Sequence, residues 1–251
     1  VGLILPHAGY PYSGAVAAAG YRALWQAGRP EAVVILGTNH TGLGDPLVVG
    51  EPKEWDTPLG PLPVDEGLAR RVAEALGAPQ ADYPFLEEHS VEVQLPFLRY
   101  LFGELPFVPV VVQHLAEDVA ARAGEALAEV VRGQGVGLIA SSDFTHYEPD
   151  GVAREKDREA LDRILALDLP GFLGVVARRR ITICGVGAIA VLLSASLALR
   201  FSDTRLLSYH TSGEVAGMWE QVVGYAAVLL RSATGKGKAS GRTDPATANV
   251  E

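Results

Sequence analysis

The sequence predicts an α/β protein, a single-domain α/β/α sandwich around a largely parallel central sheet. Three observations lead there. At 251 residues the chain is long enough for one large α/β domain with a well-buried core, or at most two small ones. Hydrophobic residues make up 48%, ordinary for a globular fold and far above the disordered range. Short apolar runs alternate with helical stretches, and three of those runs break into a polar loop that carries a histidine.

Gly2–Pro6 is a short apolar run that reads as a buried strand. It breaks into His7-Ala8-Gly9-Tyr10-Pro11-Tyr12-Ser13-Gly14, a loop rich in turn formers. A helix is expected from about Ala15 to Ala27, ended by Gly28-Arg29-Pro30. Ala32–Leu36 is a second apolar strand, and Gly37-Thr38-Asn39-His40-Thr41-Gly42 follows it. Together these form one βαβ unit with a right-handed crossover and parallel strands. Ligands of parallel sheets bind beyond the carboxyl ends of the strands, where both His7 and His40 fall. If the two strands are neighbours, about 4.8 Å apart, the imidazoles can converge on one ion. Alone, each would read as a surface or hydrogen-bonded histidine.

Leu47–Val49 reads as a short strand, Trp55–Pro61 as an extended, turn-rich segment, and Asp65–Leu76 as a helix capped by Asp65. Glu87-Glu88-His89-Ser90-Val91-Glu92 leads into an amphipathic helix that runs to about Phe102. His89 and Glu92 lie three apart, so both can face one cleft; equally, Ser90 can cap the helix with the acids in its first turn. Phe107–Val112 is a third buried strand with His114 just past its end, and Ala116–Val131 a helix. Val136–Ala140 is the fourth strand, ending in Ser141-Ser142-Asp143-Phe144-Thr145-His146-Tyr147. Asp143 and His146 suit a base with its orienter, or a pair that holds a ligand in one tautomer. Read by itself, Asp143 is a cap or turn residue.

A charged helix is expected from about Val152 to Leu167. Arg178-Arg179-Arg180 reads as a solvated helix end, although three arginines could also hold an anion. Cys184 is the only cysteine, so it forms no intramolecular disulfide. It stands where a helix begins, and the positive end of a helix favours thiolate, a nucleophile or a soft metal ligand. The plainer reading is a small buried hydrophobe. Val186–Leu199 is apolar nearly all round and should be a core helix; Leu206–Tyr209 and Gln221–Leu230 should be closing strands. Residues 1–231 form the domain, and Ser232–Glu251, with almost nothing to bury, is expected to be a disordered tail.

A net charge of −9 disfavours a nucleic-acid partner. No apolar run reaches the roughly 18 to 20 residues of a membrane span. A lone cysteine fits a reducing compartment, and with no signal-peptide pattern a cytoplasmic location is expected. Val1 is not a natural start, so a preceding segment is expected to have been removed.

Five blocks, read together, resemble a known family. They are Pro6-His7-Ala8-Gly9-Tyr10, Leu36-Gly37-Thr38-Asn39-His40, Glu88-His89-Ser90-Val91-Glu92-Val93-Gln94-Leu95-Pro96, Ser141-Ser142-Asp143-Phe144-Thr145-His146 and Thr182-Ile183-Cys184-Gly185. In order and across nearly all of residues 1–231, they are similar to the signature blocks of the Memo family, named after a mediator of cell motility. In bacteria and archaea the family appears as protein B of the AmmeMemoRadiSam system. The resemblance implies a fold like that of class III extradiol dioxygenases, whose Fe(II) sits on two histidines and a glutamate. On the matching positions the histidines are His7 and His40, and Cys184 replaces the glutamate. It implies one iron or copper ion per chain on those three residues. His146 matches a histidine near the dioxygenase acid/base site, with Asp143 beside it, and His89 lines the same cleft. Tyr10, Asn39 and Glu88, from the same blocks, count as candidate cleft residues.

A thiolate is softer than a carboxylate, which tilts preference toward Cu(I) and makes ordinary ring cleavage less fitting. The reading that follows is redox-active metal binding with O2-dependent chemistry on an unknown small molecule or peptide. Its alternatives are a non-catalytic metal-handling or partner-binding protein and an extradiol ring-cleaving dioxygenase. The other AmmeMemoRadiSam proteins, including a radical SAM enzyme, are the implied partners.

Overall fold

The computed structural model describes residues 1–51 and 53–233. Apolar runs bounded by turn formers become strands, and the amphipathic or all-apolar stretches between them become helices. In chain order the elements are β1 (Gly2–Leu5), α1 (Tyr10–Ala27), β2 (Ala32–Thr38), β3 (Leu47–Val49), β4 (Glu54–Trp55), β5 (Leu62–Pro63), α2 (Glu66–Leu76), α3 (Leu95–Phe102), β6 (Phe107–Val112) and α4 (Glu117–Val131). There follow β7 (Val136–Ser141), β8 (His146–Glu148), α5 (Asp150–Leu165), α6 (Leu169–Arg179), α7 (Val186–Ala198), β9 (Asp203–Thr211), α8 (Gly213–Ala216) and β10 (Val222–Arg231).

Eight strands form one sheet in the order β3-β6-β2-β7-β1-β10-β8, with β9 paired to β10; β4 and β5 form a separate hairpin. The central strands β6, β2, β7 and β1 are parallel, and antiparallel strands extend the sheet on both sides. All four central strands are buried on both faces, which is why they read as continuous apolar runs rather than alternating ones. Side chains alternate along a strand, so Gly2 and Leu5 point to opposite faces. A Cβ on Gly2 would meet Leu192 of α7 at 3.2 Å, and one on Gly20 of α1 would meet Leu5 at 2.3 Å. The two helices therefore cover opposite faces, which makes the predicted α/β/α sandwich. Every residue from Val186 to Ser196 of α7 is buried, so this is the core helix the sequence implies.

Several local expectations are corrected. β1 and β2 are not neighbours: β7 lies between them and pairs in parallel with both. The crossover through α1 therefore spans one strand position, and β7 becomes the middle of the site. Helix α1 begins at Tyr10 rather than Ala15, because extended Gly9 opens it and Pro11 falls in the first turn, where its missing N–H is harmless. Helix α6 is hidden in sequence by Pro170, Gly171 and Gly174. Asp168 caps it by accepting from Gly171 N at 2.9 Å, and a Cβ on Gly171 would fall 1.9 Å from the Asp168 carboxylate. Ser90 caps nothing; its hydroxyl donates to the Thr38 carbonyl at 2.8 Å, and a short 3-10 turn at Glu92–Gln94 leads into α3. The Asp65 cap stands, accepting from Leu68 N at 2.9 Å. The arginine run ends α6, where Arg179 pairs with Glu155 and Glu159. The tail predicted over 232–251 lies, from residue 234 onward, outside the described residues. Among the described residues no helix is long and apolar enough to cross a membrane.

Candidate functional site

Three adjacent parallel strands build the site at their carboxyl ends. The chain leaving β1 supplies His7, the end of β7 and the loop after it supply Ser141 through Asp143, and β2 leads into His40. The segment before α3 brings Glu88 and His89, and the turn before α7 brings Cys184.

His7 is buried. Its backbone N–H donates to Asp143 Oδ1 at 2.9 Å, its Nδ1 lies 2.9 Å from Ser141 Oγ, and its Nε2 lies 3.3 Å from Cys184 Sγ. The sulfur also accepts the Asp143 backbone N–H at 3.2 Å, with the Thr38 and Ser142 hydroxyls at 3.9 and 3.8 Å. His40 is held by Glu88. Its N–H donates to Oε2 at 2.6 Å, and its Nδ1 lies 2.9 Å from Oε1. A carboxylate only accepts, so His40 Nδ1 carries a proton and its Nε2 is left for another partner. Ser90 N donates to the same carboxylate at 2.9 Å.

The titrating groups reinforce one another. Burial would raise the Glu88 carboxyl, but hydrogen bonds from the His40 ring and from the His40 and Ser90 backbones hold it down to about 2. Hydrogen bonds to Cys184 and to Glu88 lift His40 to about 10 against its burial. Burial would raise the Cys184 thiol; the His7 charge and hydrogen bonds from His40 and His7 bring it down to about 5. His89 moves the other way, lowered by burial and by the charges of His7 and His40. A thiolate is thus the resting form of Cys184 at neutral pH, as a metal ligand requires.

The side-chain atoms with which His7, His40 and Cys184 could hold an ion all lie within 4.8 Å of one another. They open on a cavity of about 530 Å3 lined by His7, His40, His89, Asp143, His146, Tyr147, Thr182 and Cys184. Four of the six histidines face this one space. The His89 ring stacks on His40 with centroids 4.9 Å apart and stands edge-on to His7 at 5.3 Å.

Not every predicted residue falls where the sequence suggested. Tyr10, in the first turn of α1, donates to the Val93 carbonyl at 3.1 Å and lies outside the cavity lining. Asn39 folds its own loop, accepting from Gly42 N at 2.9 Å and donating to Leu43 O at 2.8 Å. Glu88 sits behind His40 and does not face the cavity, and Glu92 does not reach it. Asp143 and His146 both line it but do not pair. The Asp143 carboxylate is taken by His7 N–H, while His146 Nδ1 lies 2.8 Å from the Thr182 carbonyl. Sequence reasoning missed Ser141, Ser142 and Thr38. Their only signal is that small polar residues end otherwise apolar strands.

Gly185 is required by this packing. Its N–H donates to Ser142 Oγ at 2.9 Å, and a Cβ there would fall 2.5 Å from Ser142 Cβ and 2.8 Å from Thr38 Oγ1. Gly185→Ala is expected to destabilise the fold by roughly 1–3 kcal/mol, the cost of overpacking. Thermal unfolding of the variant checks this; an unchanged Tm would mean that the site relaxes freely.

The model of the Memo-like protein family matches residues 1–229. The chain belongs to the Memo family. Among its relatives, the MEMO1 family protein MK0963 of Methanopyrus kandleri is 44% identical over 234 residues, covering 92% of this chain and 83% of that protein. A MEMO1 family protein of Pyrobaculum arsenaticum is 42% identical over 233 residues, with the same coverage of 92% and 83%. Of solved structures, the uncharacterized protein JW3007 from Escherichia coli K12 shares the fold. Its TM-score is 0.61 at 15% identity, over 91% of this Memo-family chain and 98% of that one.

Proposed function

We propose that this protein binds one iron or copper ion through His7, His40 and Cys184 and carries out O2-dependent redox chemistry on a ligand held in the adjoining cavity. The observation that carries the reading is the donor set: two imidazoles and a thiolate with ligating atoms within 4.8 Å of one another. The chemistry of these donors fits such an ion. Imidazole suits both metals, and the thiolate favours Cu(I) over harder ions. Each histidine has its Nδ1 against an oxygen, Ser141 Oγ for His7 and the Glu88 carboxylate for His40, as metal-ligating histidines do.

When bound, the ion would supply one-electron and dioxygen chemistry. The chain's own residues orient and move protons. Asp143 positions two of the donors, holding the His7 backbone through its carboxylate and the sulfur through its N–H. The Thr182 carbonyl can only accept, so His146 Nδ1 carries the proton and Nε2 is the nitrogen free to exchange one with a ligand. Family membership supports partnership with other AmmeMemoRadiSam proteins, a radical SAM enzyme among them, and a small molecule or peptide as the ligand.

Anaerobic reconstitution with Fe2+ or Cu+ tests the reading. One ion per chain is expected, and it is lost on changing His7, His40 or Cys184 to alanine. His146→Ala should retain the ion while abolishing oxygen uptake in the presence of a reductant. Wild-type protein that stays metal-free would refute the proposal, and an ion without any oxygen uptake would leave metal handling as the function.

A further inference from the structure

We infer that a buried hydrogen-bond chain, Tyr21–Gln94–Ser141, sets the tautomer and orientation of His7, with Gln94 as the positioning residue. As an account of how His7 serves as a ligand, it rests on the metal reading above; as an account of His7 itself, it does not.

Tyr21, Gln94 and Ser141 are all fully buried. Tyr21 O–H donates to Gln94 Oε1 at 2.8 Å, and Gln94 Nε2 donates to the Pro6 carbonyl and to Ser141 Oγ, both at 2.9 Å. The opposite amide orientation would set Oε1 against the Pro6 carbonyl, two acceptors with no proton between them. Ser141 has one proton and two lone pairs. Its proton goes to the Ser90 carbonyl at 2.7 Å, and one lone pair takes the Gln94 N–H. The remaining lone pair can only accept, so His7 Nδ1, 2.9 Å away, must carry a proton. That aims Nε2 at Cys184 Sγ.

Gln94 matters because a serine hydroxyl can rotate. The amide N–H holds Oγ where its proton reaches the Ser90 carbonyl and its free lone pair faces His7 Nδ1; without it, Oγ can swing away and His7 Nδ1 loses its fixed acceptor. The imidazole is then free to carry its proton on Nε2, the nitrogen needed for ligation. Four separate segments (α1, the turn before α3, and the ends of β1 and β7) meet in this chain, so the register of the whole fold feeds one ring nitrogen.

The test uses full-length metal-free protein with 15N-labelled histidine, with two-dimensional imidazole NMR as the readout. Wild type should show a His7 Nδ1–H protected from exchange, whether or not Nε2 is also protonated. Gln94→Met, similar in length but without the amide, should lose that protection, and its Co2+ affinity should fall about 10–100-fold, as for other residues behind a ligand. Leu127→Ala, a cavity at a buried position of α4, should lower stability yet leave both readouts at wild-type values. Should Gln94→Met fail to fold, Tyr21→Phe removes one oxygen and should move both readouts in the same direction, less far. A bare His7 Nδ1 in wild type, or wild-type NMR and Co2+ affinity in both variants, would overturn the inference. Failure of wild type to bind Co2+ would count against the metal reading alone, because the imidazole spectrum still decides the chain.

Discussion

Cys184→Ala is expected to lower ion affinity by more than the roughly 10–100-fold that losing a residue behind a ligand causes. The thiolate is the one soft donor among the three, and the two imidazoles left behind cannot replace its charge. The fold should survive. The Asp143 N–H and His7 Nε2 lose a partner, but they border an open cavity where water can reach them, so a loss of about 1–2 kcal/mol is expected. Calorimetric titration with the ion, alongside thermal unfolding, separates the two effects. The metal-free wild type should also betray its thiolate. Because its thiol is held down to about 5 rather than 9, alkylation by iodoacetamide should persist as the pH falls and fail only near pH 5. A midpoint near the ordinary thiol value would mean that the histidines do not share the sulfur's charge.

Glu88→Ala is the second large effect expected. The carboxylate takes the His40 N–H, the His40 ring and the Ser90 N–H, and its side chain is fully enclosed. Removal leaves two backbone donors without an acceptor, a loss of roughly 2–4 kcal/mol for hydrogen bonds to a charged group. It also frees the His40 ring, so ion affinity should fall about 10–100-fold. The pH dependence has a definite sign. A carboxyl held at about 2 in the folded state, against 4.5 ordinarily, contributes its full stability above about pH 4.5 and loses it as the pH falls through 2. The stability gap between wild type and variant should therefore close between those values. Urea unfolding at several pH values checks this; a gap that is constant from pH 7 to pH 2 would mean that Glu88 acts only by packing.

The residues that carry chemistry were legible in the sequence because each borders a strongly apolar run. His7, His40 and Asp143 follow buried strands, and Cys184 precedes a helix whose first eleven residues are all buried. What the sequence did not disclose is spatial order. Nothing in a βαβ pattern says that β7 slips between β1 and β2, yet that placement puts Ser141 beside His7. Pairing by proximity in sequence misled for Asp143 and His146, because each finds a partner far along the chain, His7 and Thr182. The same holds for Glu88: its neighbour His89 faces the cavity, while the carboxylate turns back to a histidine 48 positions earlier. Helix α6 was hidden because Pro170 and Gly171, which local propensity counts as breakers, serve its first turn and the Asp168 cap.

The donor set is the centre of this account, and X-ray absorption at the metal edge of the protein reconstituted anaerobically with Cu+ tests it most directly. One sulfur and two imidazole nitrogens are predicted around a single ion, with the sulfur contribution gone in any residual ion bound by Cys184→Ala. A wild-type spectrum with only nitrogen and oxygen neighbours would contradict the account, since Cys184 would then lie beside the ion without holding it.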